Sequence, residues 1–317
     1  MPSTNIRSIS TIRPIHNSTS FQCSLPQHTT APMAEPANAA HELRLRCRTG
    51  AHTGHTTGLA PGHLQANLLV LPRAHAEDFA NLCRRNPVPC PLIATAATPS
   101  SLSSSSVLMK APFDLRTDLP RYNVYRHGQL VESGITSLRD YWPDPAPGEG
   151  DGGSTHVAFL IGCSFSFEAA LERAGLPPRH VVQGCNVSMY AAPRLPLNPA
   201  GVFVRGSYVV SMRPYRAQDV DRVRAVTRPF VASHGEPIAW GWAAVAELGI
   251  ADLAAPDYGD PVEIRADLGE VPVFWGCGVT PQAAVVAAGD ALGDGFVMAH
   301  APGHMLVLDA TEAEYFG

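Results

Sequence analysis

The residues best suited to chemistry in this 317-residue chain fall in two similar stretches. One runs Phe159-Leu160-Ile161-Gly162-Cys163-Ser164-Phe165-Ser166-Phe167-Glu168-Ala169-Ala170. The other runs Val273-Phe274-Trp275-Gly276-Cys277-Gly278-Val279-Thr280-Pro281-Gln282-Ala283-Ala284. Each follows an apolar strand with Gly-Cys, then Ser or Thr, then Glu or Gln before two alanines. Ser166 and Thr280 are placed to cap helices, Pro281 suits a first helical turn, and Gly175 and Gly289 mark the ends. Two helix N-termini would then face two strand ends and offer Ser164, Ser166, Thr280 and free backbone N–H groups to an anion. The bland alternative is that small residues let each helix lie close on its strand.

Several side chains in and around these stretches could carry a reaction. A thiol at a helix N-terminus can ionise, so Cys163 and Cys277 are candidate nucleophiles or bases, or else small buried residues. Glu168 is a candidate general acid/base, or a stabiliser of its helix dipole. Its counterpart Gln282 cannot titrate and can only orient or donate. Arg121 or Arg213 offers a bidentate clamp for a carboxylate. His300 and His304 are four apart, but Pro302 and Gly303 argue for a loop and no acidic third ligand follows closely. No metal is expected, and His304 reads as a proton carrier, with packing the alternative. Asn186 and Tyr190 are candidate substrate contacts or satisfied core groups. Asp114, Arg116 and Asp118 fit a structural ion-pair network equally well.

The elements that must position these groups are partly legible. Leu68-Leu69-Val70-Leu71 reads as a buried strand ended by Pro72, and Phe79, Leu82 and Cys83 follow at helical spacing until Asn86-Pro87. Residues 99–106 and 144–153 are loop-like in composition. Residues 1–40 form a disordered or transit-like segment ahead of a domain at 41–317. That leaves a mitochondrial matrix or a cytoplasmic address, with translation from Met1 or Met33. The expected fold class is α/β, a mixed sheet with flanking helices and two similar strand–Gly-Cys loop–helix units.

Composition narrows the classes further. Hydrophobic residues make up 45% and net charge is −5, which allows a sizeable core and argues against non-specific nucleic-acid binding. No apolar run approaches the ~20 residues that span a bilayer. Seven cysteines, an odd number with no paired metal-type spacing, point to a reduced intracellular protein.

Blocks along the chain also carry a resemblance. They include Thr57 to Gly62 with Gln65-Ala66-Asn67, Arg85-Asn86-Pro87 through Cys90-Pro91, and Asp114 to Tyr122. Gly162 to Glu168, Val210 to Pro214, Pro256 to Asp260, Phe274 to Gln282, and His300 to Met305 continue the series. Over roughly residues 41 to 310 the chain resembles the D-glutamate cyclase family. The resemblance implies a mixed α/β fold without a nucleotide cofactor, and reversible dehydration of D-glutamate to 5-oxo-D-proline. The implied partner is a small acidic amino acid; no cofactor is expected, and homo-oligomerisation is open. Two segments depart from the family pattern: Asn186-Val187-Ser188-Met189-Tyr190 with Ala191-Ala192-Pro193, and Glu236 to Trp242. Two other functions stay open from the residues. One is an amino-acid racemase or epimerase using two thiols, the other a non-catalytic binder of acidic metabolites.

Overall fold

The computed structural model describes residues 39–103, 105–146, 148–149 and 153–317. The transit-like reading of the N-terminal segment therefore lies outside the described residues, except at its last two positions. In chain order the elements are α1 (Ala39–Arg48), β1 (His63–Pro72), α2 (Ala76–Arg85), β2 (Leu92–Ala96) and α3 (Ser105–Leu108). Then come β3 (Tyr122–Arg126), β4 (Gln129–Ile135), β5 (His156–Gly162), α4 (Glu168–Arg173), α5 (Arg179–Gln183), β6 (Ser188–Pro196) and β7 (Ser207–Arg216). The rest are α6 (Val220–Thr227), β8 (Ala239–Trp240), α7 (Trp242–Leu248), β9 (Glu270–Gly276), α8 (Thr280–Ala288), β10 (Val297–His300), β11 (Leu306–Thr311) and α9 (Glu312–Phe316).

This is the α/β architecture read from the sequence, divided between two sheets. The larger runs β2-β5-β1-β10-β3-β4, with β11 also paired to β1; the smaller runs β6-β7-β9-β8. Every described pairing is antiparallel, including the seven-residue register of β1 on β5, Ala66 opposite Gly162 to Pro72 opposite His156.

Period-two alternation makes β1 two-sided. Leu64, Ala66, Leu68 and Val70 enter one core with Tyr122, Trp142 and Leu160. Leu69 and Leu71 face the other, with Phe79 and Leu82 of α2 and Ala284 and Val285 of α8. Followed toward the start of the strand, that second face carries Asn67 and Gln65. The apolar face thus turns polar at the end where β5 finishes in Gly162. Charges fix the flank: Arg44 of α1 donates to Val307 O and Asp309 at 2.8 Å. Arg48 pairs with Asp118 at 2.8 Å and Arg116 with Asp114 at 2.9 Å, so this cluster is structural.

Candidate functional site

Both Gly-Cys stretches fold as strand, loop and helix, β5 into α4 through a 3₁₀ turn at Ser164–Phe167 and β9 into α8. Cys163 and Cys277 enter one buried cluster with Phe165, Met189, Val209 and Met305. Asn67 sits between the loops. Its amide donates to Gly162 O at 2.8 Å and Ile161 O at 3.3 Å, and a Cβ on Gly278 would lie 1.9 Å from Asn67 Nδ2. Only a residue without a side chain allows that approach.

The expected capping roles are corrected. Ser166 Oγ accepts from Gln65 N at 3.0 Å, and Thr280 Oγ1 from Val209 N at 2.9 Å, so both hydroxyls hold neighbouring strands. The cap of the first turn is the Cys163 thiol, which accepts from Phe165 N at 3.5 Å; the α8 cap position is Val279, without a side-chain bond. Pro281 and Gly289 fall where expected, in the first turn and at the end of α8. Neither Ser166 nor Thr280 is exposed at all.

Glu168 and Arg213 form a buried pair. Odd-numbered residues of β7 put Arg213 on the inward face, where it donates to Glu168 Oε1 at 2.6 Å, Ser164 Oγ at 3.0 Å and Ser211 Oγ at 3.1 Å. Its guanidinium lies between the rings of Phe167 and Trp275, 5.2 and 5.3 Å from their centroids. Arg213 is thus engaged by Glu168, and Ser164 accepts from it. His180 Nε2 donates to the same Glu168 oxygen at 2.8 Å. Burial would raise the Glu168 carboxyl, yet His180 and Arg213 outweigh it and hold it below the ordinary glutamate value. Burial pushes His180 down, so a neutral ring makes that bond. Glu168 is thus an ionised partner of Arg213 and His180, and its Oε2 has no protein donor.

The thiols do not ionise at neutral pH. Burial pushes Cys277 up to about 11 and Cys163 higher still. Gln282 and His300 are core groups as well. Gln282 accepts from Tyr125 OH at 3.1 Å and donates to His300 O at 2.9 Å, while His300 Nδ1 bonds Leu68 O at 3.1 Å. Burial pushes His300 down to about 4, which keeps it neutral in this chain of bonds. Tyr190 points to the other face of the small sheet, in the cluster with Ala244 and Phe274, and donates to Leu253 O at 2.6 Å. It does not join the cysteines.

What remains open to chemistry is His304 and Arg121. Ala301 N donates to Arg121 O at 2.9 Å, and Arg121 Nε and Nη1 donate to Thr53 O and Gly134 O at 2.8 and 3.0 Å. Among the described residues no protein group accepts from Nη2. His304 Nδ1 bonds Pro302 O at 3.0 Å, which fixes the tautomer and leaves Nε2 as an acceptor. Burial lowers the His304 pKa, and the Arg121 charge lowers it further. Asn186 packs on this loop: a Cβ on Gly303 would lie 2.3 Å from its Nδ2. A strap over residues 53–62 covers the site, with Thr56 N donating to Gly303 O at 2.8 Å and Gln65 Nε2 to Thr56 O at 3.1 Å. Thr56 and His180 carry no signal in the sequence, and Gln65 and Asn67 enter there only as part of a family block. Gln65 and Asn67 were visible as polar residues spaced by two on an otherwise apolar strand. Among the described residues no three His, Cys, Asp or Glu converge as a metal set.

A protein from Bordetella pertussis named "putative hydro-lyase" is 50% identical over 273 residues, 86% of this chain and 90% of its own length. Relatives with the same name from Jannaschia and Rubrobacter xylanophilus are 44% and 47% identical, covering 90% and 88% of this chain and 96% and 98% of theirs. The profile of the D-glutamate cyclase family matches residues 157–309. The chain belongs to this hydro-lyase family. The family match spans both Gly-Cys stretches and the His300–Met305 loop. The two departing segments bring no side chain other than Val187 and Met189 into the cluster of Cys163 and Cys277. Ala191 and Pro193 are exposed, and so are Trp240 and Trp242. The relatives named here are bacterial, which lends no support to a mitochondrial address. No helix among the described residues is long and apolar enough to cross a membrane.

Proposed function

We propose that the protein is a cofactor-independent hydro-lyase that interconverts D-glutamate with 5-oxo-D-proline and water. The observation that carries this reading is a neutral His304 with a free Nε2, on the loop whose Ala301 N donates to Arg121 O, while the thiols of Cys163 and Cys277 stay protonated. Arg121 Nη2 holds one substrate carboxylate. His304 Nε2 takes a proton from the substrate ammonium, and the freed amine attacks the side-chain carboxyl carbon. The C–N bond forms as one C–O bond breaks. The two protons lost by the ammonium leave on the departing oxygen, carried in turn by His304, so that water is the product. Asn186 and Asn67 hold the loops that frame this step.

A thiol racemase needs one ionisable cysteine for each face of the α-carbon, and raised thiol pKa values work against it. The test incubates the purified protein with D-glutamate or 5-oxo-D-proline in heavy water and follows lactam and α-deuterium by mass. Lactam formation without α-exchange is expected, and Cys277→Ser should retain it. Exchange that disappears in both Cys163→Ser and Cys277→Ser would overturn the reading in favour of racemisation.

A further inference from the structure

A cavity lies against the strap, and neither His304 nor Arg121 lines it. It encloses about 150 Å³ between the Gly58–Gly62 loop, Gln65, Phe165, Glu168 and Glu172. Two of its wall residues have a buried oxygen that receives no hydrogen bond, Gln65 Oε1 and Glu168 Oε2. Gln65 is 3% exposed and Glu168 5%. The orientation of the Gln65 amide is fixed, because its Nε2 donates to Thr56 O and Leu59 O, both at 3.1 Å. Its carbonyl end is the one left over.

The two residues line the same cavity and are tied together through the backbone. Ser166, two residues before Glu168, accepts from Gln65 N at 3.0 Å and donates to Gln65 O at 3.3 Å. Glu168 Oε1 already takes both His180 and Arg213. A buried carboxylate oxygen that no protein group reaches is costly unless something in the cavity donates to it. Arg213 offsets the charge of Glu168, and the Glu172 carboxylate on the cavity wall makes the surroundings negative. His63, on the loop side, directs Nδ1 to Leu308 O at 3.1 Å. The chemistry that fits is a small cation with N–H donors.

We propose that this cavity binds a primary ammonium group, which donates to Gln65 Oε1 and Glu168 Oε2. The ammonium belongs either to a free small amine or to an amino acid. The proposal does not rest on the cyclisation reading.

Calorimetric titration of the full chain with methylammonium chloride tests it, with tetramethylammonium chloride as an equally charged control that has no N–H. Saturable binding of methylammonium alone is expected. Glu168→Gln should weaken it about 10- to 100-fold, the range for one hydrogen bond to a charged group. Because that variant strands Arg213, Ala169→Leu provides a second probe. Ala169 lines the cavity but makes none of these bonds, and a leucine there fills the space. D-Glutamate that displaces methylammonium identifies an amino acid as the source, and simultaneous binding identifies a free amine; either supports the site. Equal responses to the two cations, or unchanged affinity in Ala169→Leu, would overturn it and leave a cavity for water only. Methylammonium binding in a protein that forms no lactam would keep this site and remove the cyclase reading.

Discussion

Breaking the Glu168–Arg213 pair from one side should cost far more than removing it whole. In Glu168→Gln the Arg213 guanidinium keeps Ser164, Ser211 and two aromatic rings but loses its anion. In Arg213→Met the carboxylate keeps only His180. Arg213 is 0% exposed and Glu168 5%, so each single change strands a charge with no route to water, at about 3–5 kcal/mol. The double variant removes both charges and lets the introduced methionine side chain fill the slot between Phe167 and Trp275. It then loses mainly the two serine bonds, about 1 kcal/mol each. The singles should therefore sum to at least about 3 kcal/mol more than the double. Urea unfolding followed by tryptophan fluorescence, with Trp275 beside the pair, measures all four proteins. The pH dependence gives a second reading. The folded pKa of Glu168 lies below its unfolded value, so its contribution is present above about pH 4.3 and is lost as pH falls through the lower folded value. The double variant should lack that acid limb. Additive single effects, or singles below about 1 kcal/mol, would refute the argument that this pair is a buried structural unit.

Four further outcomes are expected. His304→Gln should lower kcat about 10²-fold or more with a small change in KM, measured as lactam formation. The acid limb of the wild-type pH–rate profile should fall below the ordinary histidine value of about 6.5, because burial and Arg121 favour the neutral base; a limb above it would contradict this role. Gly278→Ala should destabilise the fold by about 1–3 kcal/mol, since its Cβ would lie 1.9 Å from Asn67 Nδ2; an unchanged melting temperature would show that Asn67 does not join the two loops. Cys277→Ser should keep most lactam formation, with any loss matching its loss of stability, because a thiol raised to about 11 is not a working nucleophile at neutral pH.

Much of the fold was legible because it is written in local patterns. The run at Leu68–Leu71, the helix ending before Asn86-Pro87, and both strand–loop–helix units appear in the structure at or near their expected places. Less of the site could be read. Ser166 and Thr280 have the residue types of helix caps, but local sequence cannot show that Gln65 N and Val209 N lie closer to their hydroxyls. Tyr190 was the reverse case, a polar aromatic in a family block whose strand position turns it to the far face of the small sheet.

By itself, the sequence determined which residues could ionise, where strands and helices start and stop, and the family to which the chain belongs. The first two follow from side-chain chemistry and short-range periodicity, the family from the resemblance of its ordered blocks. Only the tertiary structure decided which of those residues keep a free functional atom. Arg213 is consumed by Glu168, 45 positions away, whereas Arg121 retains Nη2 and His304 retains Nε2. Burial then set the charge states, keeping the thiols protonated and His304 neutral. Desolvation and long-range pairing depend on what the rest of the chain packs around a group, and no window of sequence contains that information.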